Sequence, residues 1–261
     1  HDYAAQAKVV SLPSTVDQTI FKSGNKSNAR ERFGLLPNKQ YIGTAGGLYK
    51  DKGVEVIYQA WEKLKHEMPN VHLVLAGPYQ PDYPPPEEER VHYLGALPHH
   101  EIATLFQALD VGIISILDTP FGRYCFPQKA YEMLACELPV VVANIGEMSY
   151  LFRDSPQVLF QTGNANDLAS KIQQQLQSPQ QQSIAVEDWA TIIQRLEPMI
   201  TALKFNNIKS EQEDINAKVV GEQIKSVGEA VNSYITIKYS ELSELKSASG
   251  SSDDPGPRIC S

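Results

Sequence analysis

Three features are scarce in this sequence: long apolar runs, cysteine and positive charge. No run of apolar residues approaches the ~20 that a helix needs to cross a bilayer. The three cysteines, Cys125, Cys136 and Cys260, have no regular spacing, which argues against a disulfide framework or a zinc site. The formal charge of -8 argues against a general nucleic-acid surface, although a few local donors could still hold a small anionic ligand.

The rest of the composition is that of an ordinary globular protein. Apolar residues make up 42% of the chain and charged residues 21%. The 261 residues suffice for one large domain or two modest ones. No charged-then-apolar secretory leader is visible, and the chain opens on His1, so we expect that upstream sequence is missing.

Short apolar strands alternate with amphipathic helices from Tyr41 to about Phe160. Strands that are apolar throughout and alternate with helices predict a parallel sheet covered on both faces, an α/β fold. In such folds the ligand lies beyond the carboxyl ends of the strands. The predicted strands are Tyr41–Ala45, Val71–Ala76, Val91–Leu94, Val111–Ile116, Leu138–Ala143 and Gln157–Gln161. The Pro- and acid-rich segment Pro78–Arg90 is predicted to be an exposed loop.

Three segments in this pattern fit a nucleotide-sugar site. In GGLYKDKG, residues 46–53, glycines let the backbone approach a ligand and Lys52 can meet a diphosphate. In the segments LVLAGP and LGAL, a predicted strand ends at a glycine, where the backbone could contact a base. In the segment 121–147, a helix start offers open amides to phosphate, and Glu132 one turn further can accept from two neighbouring hydroxyls. Taken alone, the first segment is as typical of a helix-start turn, the second is more often an ordinary strand end, and the third is more often a solvated helix.

Taken in order, the three segments resemble the C-terminal, donor-binding half of the retaining group 1 glycosyltransferases, which have the GT-B fold. The resemblance starts near VVSLPSTVDQTIF, continues through AYEMLACELPVVVA, ends in the helix Trp189–Leu203, and covers residues ~5–204. It implies a Rossmann-like parallel sheet with helices on both faces, one half of a GT-B fold.

The resemblance also assigns roles to individual residues. Lys52 would hold the donor diphosphate, and Glu132 would bind the ribose hydroxyls. The backbone near Ala96 and Leu97 would contact the base. Amides near Gln128 would approach the phosphates. The complete set of donor-binding candidates is Gly46, Gly47, Lys50, Lys52, Ala96, Leu97, Tyr124, Gln128 and Glu132.

Two positions depart from the family pattern. Gly46-Gly47-Leu48 stands where the family often has Gly-Arg-Leu, so a phosphate-binding Arg is absent and Lys50 is the candidate substitute. Tyr124 stands where the first acid of the Glu-x7-Glu pattern contacts the sugar ring. No catalytic residue is assigned.

The resemblance implies transfer of a sugar from a nucleotide-sugar to a glycan or lipid-linked acceptor, with retention, in synthesis of envelope polysaccharide or glycoconjugate. The resemblance implies no cofactor and no metal, because these enzymes usually need none, and the lack of an Asp-x-Asp-type cluster is consistent with this. No nucleic-acid partner is expected. Only ~25 residues precede the donor-domain core, too few for a second Rossmann-like half. If the chain were complete, we would expect donor binding without efficient transfer. The expected location is the cytoplasm, at the inner face of the membrane if a missing N-terminal half binds there.

The C-terminal part has a different character. From Ala217 to Tyr234, apolar residues recur at steps of three and four, which predicts an amphipathic helix over 205–245, followed by a flexible tail over 246–261. The helix could pack on the first domain, residues 1–204, or on a partner. This region loosely resembles type IV pilin-like proteins, which would make the chain a fusion with an exported tail. The alternatives to an enzyme part are therefore a non-catalytic nucleotide-sugar-binding module and a structural component.

Overall fold

The computed structural model describes residues 15–126, 128–182 and 184–208. One compact unit extends to Ile193, and the second begins at Gln194, where the described part is helical. The strands are β1 (Gln40–Ala45), β2 (Val71–Ala76), β3 (Val91–Tyr93), β4 (Val111–Ile114), β5 (Val140–Ala143) and β6 (Leu159–Phe160). The α-helices are α1 (Lys26–Arg32), α2 (Val54–Glu67), α3 (His99–Ala108), α4 (Pro120–Tyr124), α5 (Gln128–Ala135), α6 (Gly146–Leu151), α7 (Ala165–Gln177) and α8 (Trp189–Ile208).

The six strands form one parallel sheet in the order β3-β2-β1-β4-β5-β6. Helices α2 and α7 pack together in one layer, whereas α1, α3 and α5 form the other. All residues of β2, β4 and β5 are buried, as expected for strands covered on both faces. The predicted α/β, Rossmann-like fold is confirmed.

The strand order places a topological switch point between β1 and β4. The chain runs from β1 towards β3 on one side and from β4 towards β6 on the other. The loops after β1 and β4 therefore diverge and leave a crevice at the carboxyl edge of the sheet, where ligands bind in folds of this kind.

Local sequence explains why the helices begin where they do. Asn25, Thr119 and Asn164 cap α1, α4 and α7 by accepting hydrogen bonds from backbone N–H groups two or three residues later. The apolar residues predicted at helical spacing in α2, such as Ile57 and Trp61, are buried against the sheet. None of the described helices combines the length and apolar character that a membrane span requires.

The segment 78–90 is a loop, as predicted, but part of it packs on α2. Pro85 is buried, and Glu88 accepts hydrogen bonds from Trp61 Nε1 (3.1 Å) and Lys65 Nζ (2.7 Å). The expectation of a wholly exposed loop is therefore corrected. The acidic composition of the loop gives no sign that one of its carboxylates pairs with a lysine on the neighbouring helix.

The extension predicted over 205–245 and the tail over 246–261 lie, from residue 209 onwards, outside the described residues. Helix α8 itself extends to Ile208 and contains Pro198. The domain boundary after residue 204, the pilin-like resemblance and the flexible tail stay predictions.

Candidate functional site

The loop after β1 supplies the first part of the candidate site. Gly46 follows the last residue of β1 with a φ of 103°, a backbone conformation that favours glycine. Its N–H donates to the carbonyl oxygen of Ala76 at 3.0 Å, which ties the loop to the end of β2. A Cβ on Gly77 would lie 2.1 Å from the Gly46 carbonyl oxygen, so the loop after β1 and the loop after β2 touch through their backbones.

The lysines predicted to bind phosphate lie in the next turn, the 3-10 helix Lys50–Lys52. Lys52 is half-buried, and its Nζ lies 5.9 Å from the centroid of the Tyr49 ring. Lys50 is exposed, and its N–H donates to Gln80 Oε1 at 2.8 Å. Gly47 is close to the Tyr49 ring, which leaves no room there for a side chain: a Cβ would lie 2.4 Å from the ring. Of the two lysines, Lys52 is the one that lies partly within the crevice.

The predicted base-binding segment lies between β3 and α3. Ala96 is exposed, whereas Leu97 is half-buried against the core. The carbonyl oxygen of Gly95 accepts a hydrogen bond from Gly77 N at 2.7 Å, which joins this loop to the loop after β2. The structure thus brings three separate loops to the same edge of the sheet.

Glu132 lies on α5, facing the start of α3. Only 13% of its side chain is exposed, and His99 Nε2 lies 3.5 Å from its Oε1. This carboxylate raises the pKa of the His99 imidazole, and Asp17 adds to the shift. The His99 ring also packs edge-on against Phe21, with ring centroids 4.8 Å apart. Glu132 is therefore a partly buried acceptor held next to a histidine donor.

Gln128 and Tyr124 occupy different settings. Gln128 begins α5, and its side-chain amide donates a hydrogen bond to the Thr15 carbonyl oxygen. Tyr124 ends α4 and is 88% exposed. Pro127, expected in the first turn of α5, lies outside the described residues. Gln128 therefore links the start of α5 to the segment that precedes α1, whereas the Tyr124 side chain is exposed and does not pack in the core.

Lys129 is the residue of this site that sequence reasoning missed. It is half-buried, and its Nζ would lie 3.4 Å from a Cβ placed on Gly46. Burial lowers the pKa of Lys129 to about 8, and the positive charge of Lys52 adds to the shift. The available signal was its position three residues before Glu132, which puts both side chains on one face of α5.

The described residues contain no cluster of three or more His, Cys, Asp or Glu that could hold a metal ion. Cys125 and Cys136 form no disulfide in the described part of the chain, and burial raises the pKa of the Cys136 thiol to about 12. The side chains described at the carboxyl edge therefore include two half-buried lysines, Lys52 and Lys129, the carboxylate of Glu132 and the imidazole of His99. Several backbone groups are exposed there as well.

The strand order and the helices on both faces define a doubly wound α/β domain, and the candidate residues lie at the carboxyl edge of its sheet, near the switch point. The family profile described as Glycosyl transferases group 1 matches residues 39–178, more than half of the chain. The chain belongs to the group 1 glycosyltransferases.

Individual relatives agree with this assignment. D-inositol 3-phosphate glycosyltransferase of Segniliparus rotundus is 27% identical over 164 residues, which are 58% of this chain and 35% of the relative. The chain spans about a third of the length of the curated relatives it matches. Their whole activity therefore cannot be transferred to it directly.

Two solved structures have the same fold. Sucrose-phosphate synthase from Thermosynechococcus elongatus superimposes with a TM-score of 0.61 and 21% identity, covering 74% of this chain and 52% of that one. Anabaena HepE, solved in complex with UDP and glucose, gives a TM-score of 0.59 and 23% identity, covering 72% and 55%. At these identities the likeness establishes the fold.

Proposed function

We propose that this chain is the donor-binding part of a glycosyltransferase that moves a sugar from a nucleotide-sugar to an acceptor with retention. The observation that supports it best is the placement of Glu132. A half-buried carboxylate lies on the same face of α5 as Lys129, and the positive charge of Lys52 also acts on Lys129, in a chain that belongs to a glycosyltransferase family. A carboxylate can accept from two adjacent ribose hydroxyls, and the lysines can meet the diphosphate.

The same arrangement suggests how the donor would lie. The base would contact the backbone near Ala96 and Leu97, and the ribose would contact Glu132. The diphosphate would contact Lys52 and the loop of Gly46. Positive charge beside the diphosphate would stabilise the nucleoside diphosphate as it leaves the anomeric carbon. HepE, a protein of the same fold, has been solved with UDP-glucose, which supports a nucleotide-sugar as the donor. The acceptor in this proposal is a glycan or lipid-linked molecule in envelope polysaccharide synthesis.

One observation favours a second candidate, a module that binds a nucleotide-sugar without transferring it. Tyr124 stands where the family pattern has an acid that contacts the sugar ring, and it is 88% exposed. A phenol cannot supply the negative charge of a carboxylate at neutral pH. Formation of a glycosylated product by the chain would exclude this candidate.

Calorimetric titration of the 261-residue chain with UDP-, GDP- and ADP-glucose tests the donor site. We expect one nucleotide to bind, and Glu132→Gln to weaken that binding about tenfold or more, since hydrogen bonds to a charged group contribute about 1.5–3 kcal/mol. Glu31→Gln, an exposed acid on α1, is the matched control and should bind as the unaltered chain does. Equal affinities for Glu132→Gln and the control would refute the assignment of Glu132.

A further inference from the structure

Lys129 connects the two sides of the crevice. Its backbone belongs to α5, which follows β4, whereas its ammonium group lies above Gly46, which follows β1. A Cβ on Gly46 would be 3.4 Å from Nζ and 3.7 Å from Cε. The end of the Lys129 side chain is therefore within van der Waals distance of the position that a Cβ on Gly46 would take.

Among the described residues, none forms a direct ion pair with Lys129. No carboxylate in the described ranges forms an ion pair with it, and the groups that act on its charge are Lys52, Glu132 and Cys125. Lys52, on the other wall of the crevice, opposes the protonated form, and Glu132 favours it. Two neighbouring lysines, one of them substantially desolvated, form a site that an anion would stabilise.

We propose that Lys129, together with Lys52, binds the diphosphate of the donor and takes up a proton as the diphosphate arrives. This inference rests on the proposed function and names a second phosphate-binding cation. It also offers an alternative to Lys50 as the substitute for the missing arginine, because Lys50 is exposed whereas Lys129 is half-buried with its ammonium group next to Gly46. Binding energy and proton uptake would then be linked.

The affinity for a nucleoside diphosphate should decrease as the pH rises, because Lys129 loses its proton. With a pKa of about 8, Lys129 is mostly protonated at pH 7 and mostly neutral at pH 9. A bound diphosphate raises this pKa, so the complex holds a proton that the unbound protein has lost at high pH. Affinity for a nucleoside diphosphate should therefore fall by up to about tenfold from pH 7 to pH 9.

The test titrates UDP, GDP and ADP into the 261-residue chain at pH 7 and pH 9, and into three variants. Lys129→Met should weaken nucleoside diphosphate binding about tenfold at pH 7, the loss expected for a charge-assisted contact. Lys129→Arg keeps the charge at both pH values and should remove most of the pH dependence. Lys171→Met, a half-buried lysine on α7 in the opposite layer, should match the unaltered chain at both pH values.

Proton uptake is measured by repeating the titration at pH 8.5 in two buffers of different ionisation enthalpy. The unaltered chain should take up a larger fraction of a proton than Lys129→Arg, a difference that a purely structural role would not produce. The thermal unfolding midpoint of each variant is also compared with that of the unaltered chain. Removal of a desolvated charge should leave Lys129→Met at least as stable as the unaltered chain, so that weaker binding reflects the lost contact.

The outcomes separate this inference from the proposed function. Unchanged affinity and pH dependence in Lys129→Met, with Glu132→Gln still impaired, would overturn the role of Lys129 and leave the donor site standing. If no nucleotide bound to the unaltered chain at either pH, both proposals would be wrong.

Discussion

His72 and His92 form a stacked pair on neighbouring strands β2 and β3. Their ring centroids are 5.2 Å apart, and His72 Nδ1 lies 3.0 Å from His92 Nε2. Such a contact requires one nitrogen to accept, so at least one ring must be neutral at that atom. Burial lowers the pKa of His72 to about 4, and His92, Lys39 and Arg90 add to the shift, with Glu89 opposing it.

This pair should make the fold sensitive to acid. Above pH 6.5 His72 is neutral in both the folded and unfolded states and has no effect on stability. Between pH 6.5 and about 4 the unfolded state binds a proton that the folded state does not, so the free energy of unfolding falls as pH falls. The loss should reach about 3.5 kcal/mol below pH 4, because the pKa falls from 6.5 in the unfolded state to about 4 in the folded state and each unit corresponds to about 1.4 kcal/mol.

Urea unfolding of the chain between pH 7 and pH 4 measures this effect. His72→Leu removes the titrating ring and should give a shallower dependence of the unfolding free energy on pH. His66→Gln, at an exposed position near the end of α2, is the matched control and should keep the slope of the unaltered chain. Parallel pH profiles for His72→Leu and the control would contradict the prediction.

Gly77 should be intolerant of any side chain. Its φ is 123°, and a Cβ there would lie 2.1 Å from the Gly46 carbonyl oxygen, a backbone atom that cannot rotate away. Gly77→Ala should therefore lower the free energy of unfolding by more than the ~1–2 kcal/mol that a left-handed conformation alone costs. It should also weaken nucleotide binding, because relief of the clash displaces the loop of Gly46.

Gly163→Ala separates the two contributions in the same denaturant experiment. Gly163 also has a positive φ of 77°, but nothing lies within 4 Å of a Cβ placed on it. This control should lose only the cost of the backbone conformation and leave nucleotide binding unaffected. An equal loss of stability in both variants would show that the contact between the loops after β1 and β2 relaxes without cost.

At the scale of elements, a buried arginine attaches α1 to the amino edge of the sheet. Arg30 is 7% exposed and donates to Asp110 Oδ2 at 2.7 Å, while its other nitrogens bond the carbonyl oxygens of Ala108 and Pro37. Asp110 also accepts from the Tyr41 N–H at 2.8 Å. One ion pair therefore joins α1, the start of β1 and the start of β4.

Removing this arginine should be costly. Arg30→Met leaves the carbonyl oxygens of Ala108 and Pro37 without this donor. Asp110, however, keeps its ion pair with Lys26 at 2.8 Å, so the loss should be about 2–3 kcal/mol. Arg32→Met is the matched control: Arg32 is 62% exposed and pairs with Glu101 on α3, so its loss should cost under about 1 kcal/mol. Denaturant midpoints measure both, and similar losses would show that burial is not what sets the value of the Arg30 contacts.

The elements themselves were largely predictable from the sequence. All six strands lie inside or within one residue of the predicted ranges, because apolar runs flanked by turn residues mark buried parallel strands. The residues at which the strands end were less predictable. β4 stops at Ile114, and Ser115 instead donates its hydroxyl to the Gly53 carbonyl oxygen. β6 shrinks to two residues because a 3-10 helix occupies Pro156–Val158.

The site was predictable only in part, for a physical reason. Gly46, Lys52 and Glu132 stand out because their residue types suit a nucleotide and their spacing follows the strands. Lys129 does not stand out, because a lysine on a helix is ordinarily solvated. Its end lies next to Gly46, which is 83 residues earlier in the sequence and becomes its neighbour only in the folded sheet.

At the scale of the whole molecule, the net charge of -8 and the cationic crevice have opposite signs. An acidic protein repels nucleotides over most of its surface, whereas in the proposed site two lysines and the backbone of the glycine loop would attract them at one edge. In that proposal the binding energy arises at the carboxyl ends of the strands, from four segments that are separate in the sequence. A single local segment could not hold the whole donor.

Amide hydrogen exchange, with and without the nucleotide that binds, should show this division. We expect added protection in the segments 46–53, 94–99, 115–124 and 128–132, because the ligand would restrict all four loops at once. Segments at the amino edge, around the cleft lined by Gly24, Gln107 and Glu137, should exchange as before. Protection confined to one of the four segments, or spread equally to the amino edge, would contradict a donor site at the switch point. In Glu132→Gln at the same nucleotide concentration, all four segments should lose protection together, since weaker binding lowers the occupancy of the one site that they share.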